Sequence, residues 1–459
     1  MAASERLRPV DLIAPLGAGL LVRALVVWSF IGFAGTGDER TYLGLGRDWH
    51  DFGAYGGMWA PLFPGLLGLL HGWFGDAAGD ALRVLHLGLA AWIGATVAQI
   101  AALFGGRRAG VAAAWIHALY LPLAGFSGLL FSEVVFLALF TPALLQLLLL
   151  AKKGQGSAPW WRAPLAGALV GLATLTREST LLLVPLLTLW VAWSVRAAGA
   201  RAIALAGVFA LATTLVLSPW TARNLHAYGH LVPVATSTGG STFVGINAYD
   251  VNFDLAGLGA SAVDAPGALR ARLRGPRPEP WTSDASPNFA ERAQINVRQA
   301  LGYAREHPTF YARSRVVEFV DLVSPVSFIV RSLRIGPVSP PLAATPVRQG
   351  FAVAAVLAVP LLMLLALRGW ARARSAPVLC SLALTVVFGT CAFALVNGMS
   401  RYRVTALPVL IALAAMAYAT TATPPSRVRR LIATAGAVLL VLAWIPSLEP
   451  TRLALAGLW

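Results

Sequence analysis

Charge is what this chain has least of. Only 12% of its 459 residues are Asp, Glu, Lys or Arg, roughly half the share usual in soluble proteins. A water-facing surface cannot be built from so few, which excludes an ordinary soluble enzyme of this length. Cysteine is nearly missing as well: Cys380 and Cys391 are the two present, and both fall in one apolar run. No disulfide framework or thiolate metal cluster follows from them. The seven histidines are scattered without the spacing of a metal-binding helix motif. No internal repeat of solenoid length and no basic low-complexity tail is found, so the net charge of +16 calls for no nucleic-acid partner.

What is there is apolar. Hydrophobic residues make up 57% of the chain and the mean hydropathy is +0.69. Spanning a bilayer takes about 20 such residues in a row. Eleven runs read as spans, three of them short, at 12–32, 81–104, 109–124, 126–150, 163–178, 180–195, 202–220, 350–367, 377–397, 404–420 and 431–447. Backbone groups in lipid must be satisfied within each segment. The expected fold is therefore an all-α integral membrane protein, a polytopic bundle of about eleven transmembrane helices. The pair 163–195 also suits a shallow or re-entrant hairpin.

Basic residues set the orientation. With these spans, Arg6, Arg8, Arg107, Arg108, Lys152, Lys153, Arg162, Arg196, Arg201, Arg368, Arg372, Arg374, Arg427, Arg429 and Arg430 share one side. That side is expected to be cytoplasmic, placing the protein in the cytoplasmic (inner) membrane with its N-terminus inside. The first span is long and leads directly into polar sequence, so it reads as an uncleaved anchor.

Three parts follow. Residues 1–220 form an N-terminal membrane module holding a first external loop at 33–80, residues 221–349 a larger late external loop, and residues 350–459 C-terminal transmembrane helices. The first loop carries Asp48-Trp49-His50-Asp51 and then Trp59-Ala60-Pro61-Leu62-Phe63-Pro64-Gly65. Its run 61–75, with His71 and Trp73, is too short to cross and reads as an interfacial helix. In the late loop, 264–288 is rich in Pro, Arg and Asp and reads as flexible. Residues 289–306 and 309–322 read as helices separated by Pro308, which fold over the membrane surface as a lid.

The most telling stretch is Gly37-Asp38-Glu39-Arg40-Thr41-Tyr42, two adjacent acids directly after a span. Acids at a membrane boundary are a functional-site hypothesis by default. Asp38, Glu39, Arg83, Glu133, Arg177, Glu178, Arg223, Arg401 and Arg403 all fall near the outer ends of their helices. The positive-inside bias predicts few arginines there. A lipid-linked phosphate would use them, because its phosphate sits at headgroup depth where guanidinium groups clamp it with paired bonds. The same arginines stabilise it as a leaving group, and a carboxylate takes the proton of an attacking hydroxyl. Plainer roles stand beside these. Asp38-Glu39 suits a solvated helix end, Arg177-Glu178 a hairpin-tip ion pair, Arg401-Tyr402-Arg403 an interfacial anchor and Glu133 a helix cap. Arg23 pairs within the bundle or snorkels, and His71, His86 and His117 suit packing.

Taken in order, these pieces resemble the type-C glycosyltransferase superfamily, in particular the branch with protein O-mannosyltransferases and the lipid A aminoarabinose transferase. Asp38-Glu39-Arg40-Thr41-Tyr42 is similar to the family's Asp-Glu-x-x-Tyr segment. Pro61-Leu62-Phe63-Pro64 with Phe74-Gly75, Arg83, Ser132-Glu133, Leu175-Thr176-Arg177-Glu178, Pro219-Trp220-Thr221-Ala222-Arg223-Asn224 and Arg401-Tyr402-Arg403 with Pro408 recur in the family's order. The resemblance spans about residues 10–420.

It implies an inverting transferase that moves one sugar from a polyprenyl-phosphate donor to an acceptor hydroxyl on the outer face. Asp38 would be the general base and Glu39 its support or an acceptor ligand. Arg177, Arg401 and Arg403 would hold the donor phosphate, with Arg83 and Arg223 as weaker candidates, and Tyr42 and Tyr402 would shape the site. The acceptor stays open between membrane lipid, glycan and protein, since the chain lacks the large soluble C-terminal domain of some members. Some members use a divalent metal; no dedicated site is visible. A transporter or flippase of lipid-linked sugars is the rival from another class, and would show repeats or polar groups at mid-bilayer. A non-catalytic relative that binds lipid-linked sugars is a second rival.

Overall fold

The computed structural model describes residues 7–33, 35, 37–50, 59–152, 158–236, 286, 288–326, 328–335, 338–396, 398–419 and 425–445. Arg6, Asp51, Lys153 and the Pro-rich loop up to residue 285 lie outside them. The described chain is helical. Val10–Phe30 (α1) is followed by Asp38–Arg47 (α2), Leu62–Phe74 (α3), Ala78–Leu119 (α4), Leu121–Phe126 (α5) and Glu133–Lys152 (α6). Arg162–Thr176 (α7), Leu183–Ser194 (α8) and Ala200–Tyr228 (α9) complete the first half. The second half holds Phe289–Glu306 (α10), Pro308–Val323 (α11), Phe328–Ile335 (α12), Thr345–Arg372 (α13), Pro377–Ala394 (α14), Leu407–Ala419 (α15) and Arg427–Trp444 (α16).

Seven described stretches are long and apolar enough to cross a membrane, fewer than the eleven expected. The difference has local causes. Helices α7 and α8 are 15 and 12 residues long, and 15 residues rise only about 22 Å against a hydrocarbon core of roughly 30 Å. Their hairpin is therefore short. Helix α16 starts with Arg427, Arg429 and Arg430, which interrupts its apolar run. The spans at 81–104 and 109–124 are two arms of α4, which reverses at Gly106 (φ 68°, ψ −165°), a conformation open to glycine and costly for other residues. The reversal brings Gly110 beside Ala102 and His117 beside Gly94.

Interior arginines hold what the helices leave open. The return arm of α4 stops inside the bundle, where its last carbonyls need partners. Arg23, 1% exposed in the middle of α1, supplies them. Its Nη2 donates to the carbonyl of His117 (2.9 Å) and its Nη1 to that of Ala118 (3.2 Å). At the hairpin tip Arg107 makes two bonds to Asp11 of α1, at 2.8 and 2.6 Å. Lys152, at the end of α6, donates to the carbonyl of Leu103 near the same tip. The start of α1, the α4 tip and the end of α6 thus share one face. The end of α1 and the start of α4 share the other, where Gly32 N donates to both oxygens of Asp80 at 3.1 Å.

The expected span at 126–150 is broken. Its first residues form a buried turn, and α6 begins only at Glu133. Polar side chains take the turn's backbone groups in place of helix bonds. Arg83 Nε donates to Gly128 O (2.9 Å), His86 Nδ1 faces Ser127 O (3.2 Å), and Leu130 N donates to Glu39 Oε1 (2.9 Å). Non-helical backbone is tolerated inside such a bundle only under that condition. Helix α6 and the segment Ser400–Ala419 are the most enclosed, each 83% buried across its apolar window.

The late loop contributes α10 and α11, which match the helices expected at 289–306 and 309–322, broken at His307 before Pro308. Helix α11 is fastened to the segment before α15. Arg315 donates to the carbonyl of Leu395 (2.7 Å), and Glu318 Oε2 accepts from Gly398 N (2.7 Å).

Arg23→Leu should lower the melting temperature in detergent, because it leaves the carbonyls of His117 and Ala118 unpaired at a cost of about 2–4 kcal/mol. A melting curve matching the wild type would contradict the capping role of Arg23.

Candidate functional site

The tip of the α7–α8 hairpin, the start of α6, the inner face of α2 and the segment Ser400–Ala406 meet around one small cavity of about 50 Å³. Tyr42, Arg177, Glu178, Arg401 and Tyr402 line it. Trp59, Ala60, Ser132, Thr176 and Ser179 complete the wall. The sequence analysis did not single these five out as site residues, although each flanks or belongs to a motif it did quote.

Local backbone explains why the side chains converge. Arg177 leaves α7 in an extended conformation (φ −145°, ψ 107°) and a short 3₁₀ turn, Glu178–Leu182, follows. The break turns the guanidinium inward instead of letting it continue the helix face. Ser400–Ala406 is also a 3₁₀ turn, buried along its whole length. Three residues per turn set Arg401 and Arg403 on different sides. Arg401 faces the cavity. Arg403 faces α11 and donates to the carbonyls of Leu322, Ser324 and Val326.

Each cavity arginine holds a carboxylate. Arg401 Nη1 lies 2.8 Å from Asp38 Oδ2, joining positions 363 residues apart. The Arg401 side chain is 6% exposed and that of Asp38 37%. Arg177 Nη1 lies 2.6 Å from Glu133 Oε1, and Glu133 is fully buried. That approach is an ion pair too oblique for a hydrogen bond, and Glu133 Oε2 and Arg177 Nε have no hydrogen-bond partner among the described residues. Ser132 Oγ receives a bond from Arg177 Nη1 at 3.2 Å. Both guanidinium groups also face the Tyr402 ring, at 5.2 Å for Arg177 and 5.5 Å for Arg401. The ring faces attract both cations and help to hold them close together.

Tyr42 is packed edge-on against Trp59 and Phe63, each centroid 4.7 Å away. Burial pushes its phenol well above the ordinary range, with Arg401 and Arg177 pulling weakly the other way. It therefore stays protonated at neutral pH. Glu39, 1% exposed, points behind α2 to the buried turn and accepts from Leu130 N.

Three residues expected at a phosphate lie elsewhere. Arg83 is 1% exposed and held by Gly128 O, Phe33 O (2.7 Å) and Asp80 (2.6 Å), beside a separate cavity on the far side of α2. Arg223 stacks between Trp220 and Tyr228, at 5.0 and 5.5 Å. Its neighbours fasten the chain at 232–234: Trp220 Nε1 donates to Val234 O (2.6 Å) and Asn224 Nδ2 to Val232 O (3.0 Å). Arg403 serves α11, as described above. No group of three or more His, Cys, Asp or Glu is placed to hold a metal ion among the described residues.

Comparison with known proteins bears on the helical-bundle fold that carries this cavity. No family model matches the chain, and no curated protein matches it. Among solved structures, the oligosaccharyltransferase of Archaeoglobus fulgidus in the apo form is similar, with TM-score 0.51 and 14% identity over 98% of this chain. The same enzyme tethered with an acceptor peptide containing the NVT sequon gives TM-score 0.51 and 15% identity over 98% of this chain. The chain spans about half of that enzyme, 55% of its length. ArnT from Cupriavidus metallidurans, bound to undecaprenyl phosphate, is matched at TM-score 0.41 and 15% identity, covering 90% of this chain and 78% of ArnT. At 14–15% identity the likeness to the oligosaccharyltransferase is one of fold.

Arg177→Gln should destabilise the protein by about 3–5 kcal/mol, since it leaves Glu133 buried without a counter-ion. Adding Glu133→Gln should restore most of that loss in a thermal melt; additive losses would show that the two side chains are not coupled. Arg403→Gln should lower the melting temperature by stranding carbonyls at the end of α11, and an unchanged melt would contradict that role.

Proposed function

We propose that the protein is a glycosyltransferase that moves one sugar from a polyprenyl-phosphate donor to an acceptor hydroxyl at the outer face of the cytoplasmic membrane. The N-terminus then lies in the cytoplasm. The observation that supports this best is a cavity lined by two buried arginines, one of which holds the part-exposed carboxylate of Asp38. The prenyl chain would lie in lipid and its phosphate would reach Arg177 and Arg401. The acceptor oxygen bonds to the anomeric carbon as the bond from that carbon to the phosphate oxygen breaks. The bonding electron pair leaves with the phosphate, where the arginines stabilise it. The acceptor's proton passes to Asp38. One direct displacement inverts the anomeric carbon.

The other candidates take supporting roles. Glu39 fixes the height of α2, and so of Asp38, through its bond to Leu130 N. Tyr42 and Tyr402 keep water from the arginines' apolar sides, and Tyr42, protonated, is a donor toward the phosphate or sugar. Glu178 faces the cavity beside Arg177, where a sugar hydroxyl would meet it. Helices α10 and α11 would act as the lid over the acceptor side. A divalent ion at Asp38 or Glu178 is compatible with the reaction, and its need is read by adding chelator.

Purified protein in lipid nanodiscs, given radiolabelled polyprenyl-phosphate sugars and crude membrane acceptor, should transfer label from one donor. Asp38→Asn should reduce that rate by at least about a hundredfold, the usual weight of a general base, while remaining folded. Transfer from no donor together with no donor binding would overturn this reading and favour a transporter.

A further inference from the structure

Both cavity arginines already hold a carboxylate, so a phosphate entering between them competes with those carboxylates for the same two cations. The two pairs are not equally able to open. Glu133 is fully buried beneath Arg177, and a carboxylate without water or a cation is far too costly there. Asp38 is 37% exposed while its partner Arg401 is 6% exposed. If that bond breaks, Asp38 is solvated at once and Arg401 stays in the cavity, held against Phe131 and Tyr402 at 5.5 Å each.

We infer that Arg401 exchanges partners during turnover, releasing Asp38 when the donor phosphate binds and taking it back when the lipid phosphate leaves. This rests on the phosphate site proposed above. The exchange couples the base to the donor. While Asp38 is bonded to Arg401, its Oδ2 is engaged by the guanidinium instead of the acceptor hydroxyl, so an acceptor or water arriving first meets an occupied carboxylate. Docking of the phosphate frees the carboxylate beside the sugar. After transfer Asp38 carries the acceptor's proton, is neutral and cannot compete for Arg401. Loss of that proton to water restores the charge, and Asp38 then competes with the remaining lipid phosphate and speeds its release.

The unusual consequence is that removing the base tightens product binding. Undecaprenyl phosphate is titrated into nanodiscs holding wild type, Asp38→Asn, Arg401→Gln, the double variant and Arg177→Gln. Asp38→Asn should bind about fivefold more tightly than wild type, the scale of a part-exposed ion pair. In the Arg401→Gln background the same change should have no effect. Tightening of equal size in that background would mean simple removal of negative charge and would overturn the exchange. Unchanged or weaker binding by Asp38→Asn would overturn it too, and the phosphate site would survive if Arg177→Gln and Arg401→Gln bind more weakly than wild type. Arginine variants that bind like wild type would remove the phosphate site itself. Should Arg401→Gln fail to fold, a cryo-electron microscopy structure of the wild type with undecaprenyl phosphate reads the pair directly. Separation of Arg401 and Asp38 beyond about 4 Å supports the exchange, and an intact bond overturns it.

Discussion

Inside an apolar bundle, every backbone group that leaves helical form must find a hydrogen bond, and most of this structure is arranged around that demand. The chain breaks its helices where a cavity is to be formed: after the return arm of α4, at the turn before α6, at Arg177 and at Ser400–Ala406. Buried arginines meet much of the resulting need. Arg23 takes the end of the α4 arm, Arg83 takes the turn and the loop after α1, and Arg403 takes the end of α11. Without these, the carbonyls at the breaks would be left unpaired inside the bundle.

The same requirement separates two kinds of arginine. Arg23 and Arg403 are bonded to backbone carbonyls, and Arg83 to two carbonyls and Asp80. Arg177 and Arg401, which face carboxylates at the candidate cavity, keep charge and donor geometry that an anion can use, because an anion can take a carboxylate's place. Their neighbours reinforce the distinction. Tyr402 lies against both cations, Glu133 keeps Arg177 in place from the buried side, and Asp38 reaches Arg401 from the open side. The cavity is therefore asymmetric, with one fixed cation and one exchangeable cation.

Much of this was legible in residue order. The helical membrane class follows from apolar runs that have no other use, and the site cluster follows from charges that defy the positive-inside bias. Tyr42, Arg177, Glu178, Arg401 and Tyr402 do line one cavity, and Asp38 and Glu133 join it through their arginines. Arg83, Arg223 and Arg403 share the same depth by sequence and lie apart from it. Nothing in a linear pattern separates Arg401 from Arg403, two positions along, since only the 3₁₀ turn decides which way each points. The eleven expected spans likewise could not reveal that α4 is one hairpin or that the run at 126–150 starts with a turn, because hydropathy measures composition and not hydrogen-bond partners.

By itself, then, the sequence determined the solvent, the helical class and the set of residues from which a site had to be drawn. The apolar character of a side chain is a local property that composition expresses directly. Tertiary structure alone decided the pairing: which guanidinium meets a carbonyl, which meets a carboxylate, and that Asp38 and Arg401, 363 residues apart, share one bond. Such pairings depend on distance and direction between helices that are far apart in the chain, and no local pattern of residues encodes either.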